Sequence, residues 1–310
     1  MISVKRILWR LLAGLGVLWG AATLTFIAIN VTAGDTALAI VGGPDAMPTA
    51  EVLAQVRKEY GLDEPLLTQY GHYIGRLAQG DLGESYRLRI PVLKAVTQQL
   101  GATVQLALSA GVLSIVLSVL IALLTARRAP WIRSIVSGTE LTITSAPSFV
   151  IGILLLLVFS FYFHWFPASG SQGWRALVLP TVALALPVVG VLTQVLRQEL
   201  EDVLEQPFIL TARARGMSDA GVRLRHALRH ALVPLVTLSG FVFASLLGGA
   251  VVVEMLFARQ GVGRLMLDAA NTKDVPIVLG ITLLAAFIYV IVNIVVDVLY
   301  SLIDPRVRAT

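Results

Sequence analysis

The chain of 310 residues has no cysteine, only 14% charged residues and only 7% aromatic residues. Without thiols there is no disulfide framework, no thiolate metal site and no cysteine nucleophile. The scarcity of charge excludes more. A soluble globular domain carries about a quarter charged residues, and this chain has too few to cover a water-exposed surface. Chemistry-bearing motifs are also missing: no G-x-x-x-x-G-K-[ST] loop to cradle nucleotide phosphates, no G-x-S-x-G elbow and no H-E-x-x-H pair occur. An intramembrane enzyme therefore has no visible nucleophile, base or metal constellation, and any energy source must come from a partner or an ion gradient.

What the chain does have is long apolar runs, with 56% hydrophobic residues and a mean hydropathy of +0.81. A helix needs about 20 apolar residues to cross a bilayer. Six stretches free of Asp, Glu, Lys and Arg reach that length: residues 11–31, 102–125, 141–163, 176–196, 231–253 and 275–296. The expectation is an all-α integral membrane protein with six transmembrane helices. The first run follows Lys5, Arg6 and Arg10 as a secretory signal would, but it exceeds the roughly 7–15 residues of a signal core and is read as a span.

The net charge of +5 follows from where arginine and lysine fall. Counting alternate sides of six spans puts fourteen on one side, including both termini and the connection 197–230. Among shorter connections the other side holds only Arg175, Arg259, Arg264 and Lys273. The positive-inside rule then makes both termini cytoplasmic. No run interleaves basic and aromatic residues as a nucleic-acid platform would, so membrane lipid, not nucleic acid, is the expected surrounding.

That orientation leaves two features in water. The outer segment, 32–101, carries a helix start at Thr49, whose hydroxyl can cap free amides, and a stop at Gly61. A second helix is predicted from Asp63-Glu64-Pro65, with Asp63 as cap, to about Ala78. Its Leu66, Leu67, Tyr70, Tyr73, Ile74 and Leu77 recur at helical spacing. This segment reads as a small helical subdomain, or as a contact for a delivered ligand or its carrier.

The inner connection, 197–230, begins acidic, passes Pro207, and continues Phe208-Ile209-Leu210-Thr211-Ala212-Arg213-Ala214-Arg215-Gly216. A basic run with Arg223, Arg225, His226, Arg229 and His230 follows. A short helix, a glycine stop and a second helix make a compact knob suited to docking in another protein's groove. His226 and His230 stand i, i+4 as zinc ligands can, but their arginine neighbours would repel a cation; no metal site is expected.

Within and beside the spans, Gln105, Ser109, Ser114, Thr142, Thr144, Thr193 and Gln194 are candidates for lining a pathway. Glu254 is a candidate gate or carrier contact near the outer surface. Asp297, one turn below Asn293, reads as a structural polar contact. His164 beside Trp165 and Phe166 reads as an interfacial aromatic belt. Pro147 is expected to interrupt the third span, and Pro180 and Pro187 the fourth.

The residues carry a family resemblance. Thr211-Ala212-Arg213-Ala214-Arg215-Gly216, with His226-Ala227-Leu228-Arg229-His230-Ala231-Leu232-Val233-Pro234, resembles the "EAA" loop of ABC importer permeases in its peptide and nickel form. Gly61-Leu62-Asp63-Glu64-Pro65, Gly80-Asp81-Leu82-Gly83-Glu84-Ser85, Gly248-Gly249 with Glu254, Gly261-Val262-Gly263-Arg264, Asp274-Val275-Pro276 and Asp304-Pro305-Arg306-Val307-Arg308 resemble that family's segments in order. The general motif places Glu, Ala and Ala where this chain has Leu210, Thr211 and Ala212, so the role of that Glu does not transfer to Leu210.

The resemblance implies a type I ABC importer (MetI-like) permease fold. It divides the chain into a cytoplasmic N-terminus with the first span (1–31), an extracytoplasmic helical insertion (32–101) and a five-helix core (102–310). It also implies a bacterial inner-membrane location and four kinds of partner feature: a second permease subunit, two ATP-binding subunits, their bound ATP and Mg, and an extracytoplasmic substrate-binding protein. Residues Thr211 to Gly216 would be the ATPase-coupling element. The chain itself would be non-catalytic and bind no cofactor. Di- or oligopeptide is the leading cargo and nickel or a metal chelate the second; an ion-coupled secondary transporter is the alternative from another class.

Overall fold

The computed structural model describes residues 4–32, 36–41 and 47–303. The expected C-terminal segment Asp304 to Arg308 lies outside the described residues, as does the side chain of Asp297. The described chain is mostly helical, with one isolated antiparallel bridge between Glu84 and Pro91. Its helices are α1 (Val4–Thr32), α2 (Thr36–Val41), α3 (Ala50–Glu59), α4 (Leu66–Ala78), α5 (Val92–Thr125), α6 (Pro130–Ser145), α7 (Ser148–Leu155), α8 (Arg175–Leu204), α9 (Pro207–Ala214), α10 (Asp219–Gly221), α11 (Leu228–Leu256), α12 (Val262–Asn271) and α13 (Val275–Ile303). Wide π-type turns extend α7 over Leu156–Tyr162 and lead into α11 over Val222–Ala227.

Among the described residues, α5, α8 and the Val275–Val295 part of α13 are each long and apolar enough to cross a membrane. The pair formed by α6 and α7 with its π turn passes the same test together but bends by 102°. The described apolar parts of α1 and α11, Leu12–Ala28 and Ser245–Leu256, are shorter.

The helices differ from the apolar runs in four respects. The run 141–163 is not one helix. Pro147 has no amide proton and forces Ala146 into an extended conformation, so Leu141 to Ser145 belong to α6 and the chain turns sharply before α7. Pro180 and Pro187, by contrast, lie inside one continuous α8 and are packed in or against its neighbours. The helix that holds the run 102–125 begins ten residues ahead of it, at Val92, where Pro91 precedes the first turn. The run 176–196 also lies in a longer helix, because α8 carries on through Arg197 to Leu204.

The chain divides into two compact units. One holds Thr103–Arg259 and the chain from Val292. Its main core gathers Leu106 and Ala110 of α5, Leu179 to Leu192 of α8 and Leu246 to Phe257 at the end of α11. A second cluster joins Ala122 and Ala126 to Leu196, Leu200, Leu204, Ile209, Ala212 and Val222.

The other unit holds the chain up to Ala102 with Gln260–Ile291. Helix α3 starts as expected, with the Val52 amide donating to the Thr49 hydroxyl at 3.4 Å, and stops at Gly61 with φ +64°. Helix α4 does not start on Asp63: Pro65 holds the cap position, and the Gln69 side-chain amide closes the turn by donating to the Leu62 and Glu64 carbonyls at 3.1 and 2.8 Å. Tyr70, Tyr73, Ile74 and Leu77 pack against Ala22 and Phe26 of α1 and Leu283 of α13, whereas Leu66 and Leu67 stay exposed. In the same unit the Asp274 carboxylate, 3% exposed, accepts from the Ser85 hydroxyl and from the Tyr86 and Arg87 amides, tying the 80–85 segment to the start of α13.

Candidate functional site

Three places in the first unit collect the candidate residues: the α9 knob, the end of α11, and the face between α6 and α8.

The knob forms because Pro207 opens a short helix, its missing amide proton being one of the first-turn donors that need no partner. A Schellman closure ends it. The Gly216 amide donates to Arg213 at 2.9 Å and the Met217 amide to Ala212 at 3.3 Å, with Gly216 at φ +79° where L side chains are strained. Ile209 and Ala212, three residues apart on one face, bury against the C-terminal half of α8. Burying the Ile209 side chain alone is worth about 1.5–3 kcal/mol. Thr211, Arg213, Ala214, Arg215 and Gly216 face outward, beside exposed Phe208 and Leu210.

The arginines of this region do not act alike. Arg223 turns inward. Its Nη1 donates to the Leu123 and Ala126 carbonyls at 3.1 and 2.8 Å, and its Nε to Asp219 at 2.7 Å. Asp219 also accepts from Arg213 at 3.1 Å. The Arg223 hydrogen bond, ahead of the remaining contributions, holds the Asp219 carboxyl below the usual aspartate range. Arg223 is therefore part of the knob's scaffold and not of its outer surface, while Arg215, Arg225 and Arg229 remain exposed. His230 is exposed beside the Phe208 ring, 5.2 Å between centroids, and no group of potential metal ligands occurs among the described residues.

At the other end of α11, Glu254 has no exposed surface. The Thr103 hydroxyl donates to its Oε1 at 2.5 Å. The helix closes with Ala258 at φ +46°, and the Arg259 amide returns to the Glu254 carbonyl at 2.8 Å. This turn folds the Arg259 side chain back until it is 1% exposed, within electrostatic reach of Glu254, and its Nη2 donates to Gln105 at 2.9 Å. Sequence reading counted Arg259 only as an outer charge. The signal for more was its place five residues after Glu254 across a helix end, where a Schellman turn brings the two together.

The remaining pathway candidates are spread along α5, α6 and α8. Ser109 and Thr181 share a hydrogen bond of 2.8 Å, and the Ser114 hydroxyl reaches the Ala185 carbonyl at 3.3 Å between the two prolines of α8. The Thr142 hydroxyl turns back on the Gly138 carbonyl at 2.9 Å. Thr193 is fully buried. Gln194 is exposed on a cleft of about 500 Å³ whose wall also includes Arg133, Ser137, Arg197 and Glu201.

Two residues were missed, Arg197 on the wall of that cleft and Glu140 bonded behind it. The Arg197 Nη2 donates to Glu140 at 2.8 Å and to the Ser137 hydroxyl at 3.0 Å, with both charged side chains under a tenth exposed. Each sits one residue outside a charge-free run, so the windows that defined the spans excluded both. His164 at φ +55° and the stacked Phe163–Trp165 rings, 4.7 Å apart, form an exposed aromatic group after α7.

Residues 87–309 match the family described as the inner membrane component of binding-protein-dependent transport systems. A protein of Brucella abortus described as a peptide transport system permease is 38% identical, over 97% of this chain and 98% of that protein. The glutathione transport system permease protein GsiC of Salmonella choleraesuis is 36% identical, again over 97% of this chain and 98% of that protein. In structure, a chain of the MetNI methionine ABC transporter, solved in inward facing conformations, aligns with TM-score 0.55 at 16% identity, covering 67% of this chain and 95% of that one. The chain thus belongs to the family of inner membrane components of binding-protein-dependent transport systems, and is a permease subunit of an ABC importer.

Proposed function

We propose that this permease forms half of the translocation pathway for short peptides in a bacterial inner membrane. The observation that carries the cargo is the near full-length similarity to permeases named for peptide and for glutathione, itself a tripeptide. A pathway offering hydroxyls and amides without fixed charge in the middle of the spans suits cargo whose side chains vary.

In this reading six spans cross the membrane, both termini are cytoplasmic, and residues 32–101 carry a helical insertion on the outer side. A second permease completes the pathway, two ATPase subunits bind ATP and Mg, and a substrate-binding protein delivers the peptide. Thr211 to Gly216 would seat in a groove of one ATPase. Support comes from the arrangement of the knob: one face of α9 is anchored in the permease core and the other is free. Closure of the ATPases on ATP would then move α9, and hydrolysis would reset it between two discrete packings. Glu254, fully buried, would act within the permease and not on the carrier.

The test is uptake of a labelled dipeptide into proteoliposomes holding the assembled transporter and its binding protein. ATP-dependent uptake that survives collapse of ion gradients is expected. Uptake driven by a gradient without ATP, or uptake of a nickel chelate but no peptide, would sink the reading.

A further inference from the structure

Three residues of α6, Ser137, Glu140 and Thr144, stand at i, i+3 and i+7 and so share one face. Gly190, Thr193 and Arg197 repeat that spacing on α8. The two faces meet: Arg197 bonds Ser137 and Glu140, and a methyl on Gly190 would strike the Thr144 hydroxyl and come within 3.0 Å of the Glu140 carbonyl. Three atoms on these faces, the Glu140 Oε1, the Thr193 Oγ1 and the Arg197 Nη1, are buried without a hydrogen-bond partner among the described residues.

A buried ion pair gives a helix interface little stability that well-packed apolar side chains would not. This one opens on the cleft of about 500 Å³, within the range of roughly 300–1,000 Å³ typical of small-ligand sites. Its wall carries Arg133 and Glu201, paired with each other at 3.5 Å, together with Arg197, Glu199 and Gln194. The Arg197 Nη1, the nitrogen left without a partner, can donate to one carboxylate oxygen, and Glu199 supplies the opposite charge for an ammonium.

We infer that the α6–α8 cleft binds the free termini of a short peptide, with Arg197 holding the carboxylate through Nη1 and Glu199 facing the ammonium. The inference rests on the peptide reading of the cargo and adds the site where the permease holds it. Gln194 is then a wall contact, and Glu140 is the internal counter-ion that positions Arg197 while the cleft is empty.

The experiment is calorimetric titration of the full-length permease in detergent with dialanine and with the uncharged N-acetyl-dialanine amide. Saturable dialanine binding is expected, with the blocked peptide at least tenfold weaker. Because Arg197→Gln alone strands Glu140, the variant is the pair E140Q/R197Q, checked for unchanged helix content. It should lose dialanine binding at least tenfold, and E199Q should weaken it severalfold. No saturable dialanine binding, or equal binding by the blocked peptide or by the paired variant, overturns the site. Uptake assays decide the cargo separately: peptide uptake without dialanine binding here removes only this site, whereas binding here without ATP-driven peptide uptake removes the cargo reading and leaves a peptide site.

Discussion

The Arg223 guanidinium donates at 2.8 Å to the backbone carbonyl of Ala126, the residue that follows the last turn of α5, from a position 97 residues further along the chain. Carbonyls at a helix end have no partner within the helix and carry the negative end of its dipole. One cationic side chain thus closes the end of α5 and, through Asp219, fixes the loop that follows α9. The sequence alone groups Arg223 with Arg213, Arg215, Arg225 and Arg229, because all five lie in one connection.

Replacing Arg223 with Gln should therefore destabilise the permease, by about 1.5–3 kcal/mol for lost charged hydrogen bonds. Arg225→Gln, on the exposed side, should change stability by less than about 0.5 kcal/mol. Thermal unfolding of both variants in the same detergent checks this; equal melting temperatures would refute the scaffold role of Arg223.

Gly216 has open space around it, so its constraint is backbone alone. Gly216→Val should strain the left-handed position by about 1–2 kcal/mol and displace the α9 stop, abolishing substrate-stimulated ATPase activity of the assembled transporter. Gly216→Asn, which tolerates that conformation, should keep most of it. Full stimulation in the Val variant would remove the coupling assignment.

The Glu140–Arg197 pair should behave as a unit. Removing either charge leaves the other buried and should cost about 3–5 kcal/mol, whereas the E140Q/R197Q pair should lie close to the parent. A double-mutant cycle on unfolding free energies measures the coupling, and additive losses would show that the two side chains act separately.

Gly190→Ala puts a methyl against Thr144 and should destabilise by about 1–3 kcal/mol through overpacking. Adding Thr144→Ala removes the nearest obstacle and should recover a large part of the loss. No recovery in the double variant would show that the Glu140 carbonyl, not the hydroxyl, sets the approach of α6 to α8.

Acid should act on the knob only below the usual aspartate range. Asp219 has its pKa depressed by Arg223 and Arg213, so its contribution is complete above the unfolded value of about 3.9 and is lost as pH falls through the lower folded value. Fluorescence anisotropy of a dye on a single cysteine introduced at Leu210, in a chain with no others, should stay flat from pH 8 to 5. Asp219→Asn should loosen the knob across that whole range. A transition near neutrality in the parent would contradict the assignment.

The elements that sequence made legible are those written in local rules. Thr49 and Gly61 bound α3 because capping and left-handed stops involve neighbours only. The knob was readable for the same reason, from Pro207 and Gly216. Proline was a weaker guide: at Pro147 the chain bends by 102° between α6 and α7, but Pro180 and Pro187 leave α8 continuous, because a proline's effect in a packed helix depends on neighbours far away in sequence. Arg197–Glu140, Arg259–Gln105 and Arg223–Ala126 were invisible, since each joins residues more than fifty apart and no periodicity records such a pairing.

Helix α8 runs unbroken for 30 residues from Arg175 to Leu204, about 45 Å at 1.5 Å per residue. Its last turns hold Ile209 and Ala212 of the knob, and its opposite half lies in the main core beside α5 and α11. The two interior prolines, Pro180 and Pro187, both lie in its first half, which leaves the half that carries the knob with its hydrogen-bond ladder free of proline. On the proposed coupling role of α9, a shift imposed there would be carried along the proline-free half of α8, so the knob and the main core would move together.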